Sequence, residues 1–139
     1  MNPMLALRQY QKISAQAQTS EASPHRLVQM LMEGGLDRIA QAKGTLERGD
    51  LAGKGIAIGK AIGIVGGLRE GLDRDKMTPE LERLDALYLY MTRRLSEANA
   101  QNDADALNEV ADLLTTVKEG WDAVAPQSVS YTHLRAHET

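Results

Sequence analysis

Apolar residues recur at intervals of three and four through most of this chain, and this spacing constrains the fold more than any other feature. In the third of four such stretches the pattern runs unbroken, through Leu81, Leu84, Tyr88, Met91, Leu95 and Ala98. A helical period of about 3.6 residues places such side chains along one face. The fourth stretch repeats the pattern, with Leu107, Val110, Leu114, Val117, Trp121 and Val124. No segment shows the alternation of a β-strand, so the pattern predicts an all-α fold.

Helix start and stop signals divide the chain into four long helices. Ser23 and Thr78 are N-cap residues followed by proline, Gly49 can end the first helix, and Asp50 can cap the second. Pro126 stops the last helix. We predict helices at residues 24–48, 51–73, 79–99 and 104–125. Because the connections are short, neighbouring helices should be antiparallel, which predicts an up-down-up-down four-helix bundle.

The bundle is expected to be the middle one of three regions. Residues 1–22 hold a short amphipathic helical segment, with Met4, Leu7 and Tyr10 on one side and Ile13 just beyond, followed by a small, polar tether that should be mobile. Residues 23–127 form the bundle domain. Residues 128–139 break the helical rhythm, and we expect a disordered, non-native tail there.

The amino-acid composition excludes several classes of protein function. The chain has no Cys among its 139 residues, which excludes thiolate chemistry and disulfides. Its net charge of -3 gives none of the basic excess that nucleic-acid binding needs. No signal peptide is visible, and the longest mostly apolar run, residues 56–68, is shorter than the ~20 residues of a membrane span. We therefore expect a cytoplasmic protein without membrane insertion.

Glycine recurs every four residues in the second predicted helix, at Gly55, Gly59, Gly63, Gly67 and Gly71. Neither the spacing of a phosphate-binding loop nor that of a dinucleotide fingerprint is met. Because each interior glycine costs a helix roughly 0.5–1 kcal/mol relative to alanine, this helix should depend on close packing. Either a neighbouring helix of the bundle or a bound partner helix can supply that packing.

Histidines and carboxylates offer little for catalysis. None of the three His follows a Glu at the spacing of a di-iron bundle, so we expect no metal. His25 is the only candidate outside the tail for a histidine phosphotransfer bundle, although its place in a first helical turn is more simply that of an exposed helix-start residue. With no Ser/His/Asp or Cys/His set, we predict no enzyme and no cofactor.

Several apolar residues lie off the main stripes and exceed what one core needs. They are Leu36 on the first helix, Ile56 and Ile64 on the second, and Leu87 and Tyr90 on the third. Extra apolar surface on several helices favours a binding groove.

The order and spacing of several segments resemble the FliS family of flagellar export chaperones. The likeness runs from Tyr10 to about Trp121 and includes SPHRLVQMLMEGGLDRI from Ser23, LYLYMTRRLSEAN from Leu87, and LNEV from Leu107. The glycine-rich second helix departs from the family pattern, and the tail has no counterpart in it.

The resemblance implies a cytosolic chaperone that binds the disordered C-terminal segment of flagellin. Such a chaperone prevents premature polymerisation and helps deliver its client to the type III export gate. The family uses its N-terminal segment as a lid over part of the binding surface, and Tyr10 matches the tyrosine of that lid. A phosphotransfer bundle using His25 and a structural homo-oligomeric bundle remain the alternatives. A weak homodimer is compatible with each of them.

Overall fold

Four α-helices make up the part of the chain that the computed structural model describes, residues 23–124. The helices are α1 (Pro24–Glu47), α2 (Leu51–Glu70), α3 (Pro79–Gln101) and α4 (Ala104–Asp122), with one 3-10 turn at Arg74–Lys76. No β-strand occurs between residues 23 and 124. The predicted all-α fold is confirmed.

The predicted caps begin the helices. The Ser23 side chain accepts a hydrogen bond from the Arg26 N–H at 3.1 Å, and the Thr78 hydroxyl accepts one from the Leu81 N–H at 3.2 Å. Gly49, just after α1, has a φ of +75°, a left-handed conformation that glycine adopts without strain. The Ser23 and Thr78 side chains thus satisfy N–H groups that have no partner inside the helix at its start.

Two helices end three residues earlier than predicted. The second ends at Glu70 rather than residue 73, because the chain turns there and Asp73 caps the 3-10 turn. The fourth ends at Asp122, three residues before the predicted end at 125. Val124 therefore lies beyond the helix and is 39% exposed, so its predicted place in the core stripe is wrong.

Contacts between helix ends establish the topology. Near the end of α2, Arg69 pairs with Asp85 near the start of α3 at 2.8 Å. Near the end of α3, Arg94 pairs with Glu109 near the start of α4 at 2.6 Å. Both α1 and α3 pack against α2 and against α4. The helices therefore form an antiparallel ring in the order α1, α2, α3, α4, as the up-down-up-down prediction requires.

The core lies inside this ring, and the predicted stripes of α3 and α4 supply Tyr88, Met91, Leu95, Leu107 and Leu114 to it. Its fully enclosed large side chains are Tyr88, Met32, Ile39, Ile58, Leu68, Met91, Leu95, Leu107, Leu114 and Val28. Among the described helices, α2 alone is long and apolar enough to cross a membrane by length and composition, but half of it is buried inside the bundle. Its apolar character is accounted for by the core that it helps to form.

Candidate functional site

A groove runs between the second half of α1 and the first half of α2. We call it the α1–α2 groove; it measures about 510 Å³ and is lined by Ala40, Gln41, Gly44, Thr45, Arg48, Gly53, Ile56, Ala57 and Lys60. Ile56 is 62% exposed, the highest exposure among the large apolar residues described. The prediction that Ile56 stands outside the core is therefore confirmed. Clefts of this size are in the range that ligands occupy in proteins, about 300–1,000 Å³.

Two glycines shape the floor of the α1–α2 groove. A methyl group on Gly44 would lie 3.2 Å from Nη1 of Arg48, because the Arg48 guanidinium folds back over Gly44. A methyl group on Gly53 would lie 3.1 Å from the Thr45 methyl group, where α1 and α2 approach each other beside the turn. Gly44 thus leaves room for the Arg48 guanidinium, and Gly53 leaves room for the Asp50 carboxylate and the Thr45 methyl group.

Leu87 and Tyr90 lie on the side of α3 that faces α4. The Tyr90 hydroxyl donates to Glu109 at 2.7 Å, and Arg94 Nε donates to the other oxygen of the same carboxylate at 2.6 Å. The hydrogen bonds from Tyr90 and Arg94 lower the pKa of Glu109, and the bond to Glu109 raises the pKa of Tyr90. The Arg93 guanidinium also lies over the ring of Tyr90, with its Cζ 5.6 Å from the ring centroid. Polar contacts therefore hold Tyr90 at the edge between α3 and α4, which we call the α3–α4 edge.

Leu36 lies on yet another side of the bundle. It follows Glu33 by one turn on α1, and Glu33 pairs with Lys118 of α4 at 3.8 Å. Leu36 is half-buried, as are Leu87 and Tyr90. The structure therefore distributes the predicted residues between the α1–α2 groove, the α3–α4 edge and the α1–α4 edge, and it does not bring them together in one groove.

Ile64 does not belong to an exposed surface, so the prediction that it stands away from the core is wrong. Its exposed fraction is 7%, because it fills a notch that two consecutive glycines leave in α1. A methyl group on Gly34 would lie 3.6 Å from Cδ1 of Ile64, and one on Gly35 would lie 3.1 Å from Cδ2 of Leu114. The adjacent glycines were the available signal for this close approach.

His25 is buried, so the expectation of an exposed helix-start residue is also wrong. Its ring stacks on that of Trp121, with centroids 5.1 Å apart and planes 10° apart. Its Nε2 lies 2.9 Å from the Trp121 carbonyl oxygen, which can only accept, so Nε2 carries the proton and donates. The Trp121 indole N–H donates in return to the His25 carbonyl at 3.0 Å. A phosphotransfer histidine needs an accessible ring nitrogen with a free lone pair, which this Nε2 does not offer.

Lys54 is a buried charged residue that the sequence analysis missed. It has an exposed fraction of 5%, and its Nζ donates to the Asn99 carbonyl at 2.8 Å and to Oδ1 of Asn102. These acceptors lie at the end of α3, where carbonyl groups lack helical partners and favour a positive charge. Lys54 thus joins the start of α2 to the end of α3.

The N-terminal site residues lie outside the described residues. These are the residues of the predicted lid: Met4, Leu7, Tyr10 and Ile13. Pro126 and the predicted tail at 128–139 also lie outside the described residues. Between residues 23 and 124 no group of three or more His, Asp or Glu side chains is placed to hold a metal ion.

Comparisons with known proteins agree on one family. The family model described as "Flagellar protein FliS" matches residues 6–128. The chain is 54% identical over 125 residues to the "Flagellar secretion chaperone FliSB" of Pseudomonas aeruginosa, covering 90% of this chain and 99% of that protein. It is 40% identical over 123 residues to the "Flagellar secretion chaperone FliS" of Salmonella typhimurium, covering 88% and 91% of the two chains. A relative from Bacillus subtilis is 35% identical over 107 residues, or 76% of this chain and 78% of the other. The chain therefore belongs to the FliS family of flagellar secretion chaperones, which are not enzymes.

Proposed function

We propose that this protein binds the disordered C-terminal segment of flagellin in the cytoplasm, prevents its premature polymerisation and assists its export by the flagellar type III system. One observation carries the proposal: a relative named as a flagellar secretion chaperone aligns with this chain over 99% of its length at 54% identity. The export gate is a second partner in the same proposal.

The placement of apolar residues supports an extended client. Ile56, Leu87 and Leu36 lie on three different sides of the helical ring. A compact ligand could touch only one of these sides, whereas an unfolded segment can wrap around the bundle and cover several. Segments of this kind trade ordering entropy for a large interface, which suits a client that must be released again for export.

Replacing Ile56 by serine tests this proposal at the residue most accessible to a client. Burying an isoleucine side chain is worth about 1.5–3 kcal/mol, so we expect Ile56→Ser to weaken binding of a flagellin C-terminal peptide by roughly tenfold or more. Fluorescence anisotropy of the labelled peptide measures this change. Because Ile56 is 62% exposed, the melting temperature should remain that of the parent protein.

Leu51→Ser is the matched control on the same helix. Leu51 is 53% exposed and lies about 140° around the helix axis from Ile56, away from the α1–α2 groove. We expect its substitution to leave the affinity close to that of the parent. If the unaltered protein fails to bind the peptide at all, the proposed function is wrong. If both serine variants bind the peptide with the affinity of the parent protein, Ile56 is not part of the binding surface.

A further inference from the structure

Positive charges without acidic partners border the α1–α2 groove. The side chains of Arg48 and Lys60 line it and make no ion pair with any residue of the described range. Arg38 lies beside it, and its Nη1 donates to the neutral Gln41 side chain of the groove at 3.1 Å. None of the nine lining residues is acidic. The Asp50 carboxylate, which accepts the Gly53 N–H, lies at the turn end of the groove. The groove therefore combines the exposed apolar side chain of Ile56 with two cations that make no ion pair within the described range and one nearby acid.

The opposite half of the bundle shows the contrary arrangement. Each arginine or lysine on α3 and α4 has a partner, in the pairs Arg83 with Glu80, Arg94 with Glu109, Lys118 with Asp122, and Arg93 with the Tyr90 ring. The overall charge of the protein is -3, so the unpaired cations beside the groove do not follow from a general basic excess. Their concentration there favours an anionic occupant, because complementary charge steers association and fixes orientation.

We propose that the α1–α2 groove binds a stretch of the flagellin C-terminal segment in which acidic residues flank apolar ones. An apolar side chain of the client packs against Ile56 and Ala57, and its carboxylates lie near Arg48 and Lys60. This inference rests on the proposed function and specifies which part of the client this side of the chaperone selects.

The chain's own N-terminal segment is a poor occupant for the same groove. Residues 1–22 carry Arg8 and Lys12 against the single acid Glu21, so this segment is itself positive. Like charges disfavour its docking beside Arg48 and Lys60. The lid is therefore expected to cover a different part of the chaperone, and removing it should not change the effect of charge reversals in the α1–α2 groove.

Charge reversal at the groove tests the proposal. We expect the double variant Arg48→Glu, Lys60→Glu to bind a flagellin C-terminal peptide roughly tenfold more weakly than the parent. We also expect the parent's affinity to fall between about 0.05 M and about 0.5 M NaCl, and that fall to shrink in the double variant. The single variants Arg48→Glu and Lys60→Glu are measured beside Arg83→Glu, which is their matched control, since Arg83 is exposed at the start of α3 and its reversal changes the net charge as much as either of them.

A charge-swapped peptide completes the experiment. A version of the client with lysine in place of its acidic residues should bind the double variant more tightly than it binds the parent protein. Parent-like affinity and salt dependence in the double variant would overturn the groove proposal while leaving the flagellin proposal standing. Failure of the parent to bind any flagellin peptide would remove both. Salt-sensitive self-association that depends on Arg48 and Lys60, with peptide binding unchanged, would assign the groove to a second copy instead.

Discussion

At the scale of single residues, His25 and Trp121 form a reciprocal contact that closes one end of the helical ring. Each side chain donates to the other residue's backbone carbonyl, at 2.9 and 3.0 Å, and the two rings stack. The contact joins the first turn of α1 to the last turn of α4, residues 96 positions apart in the sequence. The contact thus ties the side chain of each residue to the backbone of the other, and both residues are buried.

Trp121→Ala should destabilise the bundle rather than alter the choice of client. Loss of a buried tryptophan costs about 3–5 kcal/mol in the free energy of unfolding, a large share of the ~5–15 kcal/mol of a typical domain. Trp121→Phe keeps an aromatic ring against His25 but cannot donate to its carbonyl, so we expect a smaller loss of about 1–3 kcal/mol. Urea unfolding followed by circular dichroism measures both values. An unchanged unfolding midpoint together with lost flagellin binding would place Trp121 on the client surface.

The wrong predictions for Ile64 and His25 share a physical cause. The pattern of α2 alone indicates a side chain away from its main stripe at Ile64, and the position of His25 in a first turn indicates exposure. Burial of each depends on a different helix, through Gly34 and Gly35 for Ile64 and through Trp121 for His25. The spacing of apolar residues predicts only the direction in which side chains point around one helix axis. These contacts depend in addition on how closely a second helix approaches.

At the scale of helices, the close approach of α1 to α2 and α4 depends on Gly34 and Gly35. The glycine repeat in α2 predicted a helix that needs tight packing, and Gly63 and Gly67 are indeed buried. The structure adds that α1 contributes glycines of its own, which accept Ile64 and Leu114. Notches on one helix and side chains on the next thus fit together, as ridges and grooves do in helix packing.

Substitution of these two glycines by alanine should have opposite outcomes. A methyl group on Gly34 would meet Ile64 at 3.6 Å, an ordinary contact, so Gly34→Ala should gain about 0.5–1 kcal/mol from helix propensity. A methyl group on Gly35 would lie 3.1 Å from Leu114 and 3.4 Å from Ile64, which are both buried and tightly held. Because buried neighbours have little room to shift, we expect Gly35→Ala to lower the free energy of unfolding, by up to about 1–3 kcal/mol of overpacking.

Thermal unfolding of the two alanine variants measures this contrast. A higher melting temperature for Gly34→Ala and a lower one for Gly35→Ala would support the notch at Gly35. A rise in both would mean that the helices can separate slightly without cost, and that the packing around Ile64 is looser than these distances indicate.

At the scale of the whole molecule, the fold was predictable from the sequence, but the grouping of the candidate site residues was not. Unbroken spacing and capping residues specify four helices, and short connections specify their directions, so the ring could be inferred without coordinates. The sequence could not show which off-stripe residues lie on the same side of the bundle, because this depends on the rotation of each helix about its own axis. The exposure of Ile56 was predicted from its position off the apolar stripe, whereas its cationic neighbours come from α1 as well as α2 and are brought together only by packing.

The N-terminal segment is predicted to act as a lid that couples the free state of the chaperone to its client-bound state. Met4, Leu7 and Tyr10 can cover only a modest apolar area, and the polar tether at residues 14–22 would let the segment detach. If lid and client compete for one surface, the lid lowers the apparent affinity by the fraction of molecules in which it is bound. Deletion of residues 1–13 should then tighten flagellin binding and make the free chaperone more prone to self-association.

Titration of a flagellin C-terminal peptide against the full-length and truncated proteins measures this effect, and sedimentation of the free proteins measures self-association. A lower Kd for the truncated protein supports competition between lid and client. A higher Kd means that Tyr10 contacts the client itself, because the deletion then removes part of the binding surface. Repeating the titration with Tyr10→Ala in the full-length protein separates the two cases further, since weakening the lid contact should also lower Kd, whereas losing a client contact should raise it.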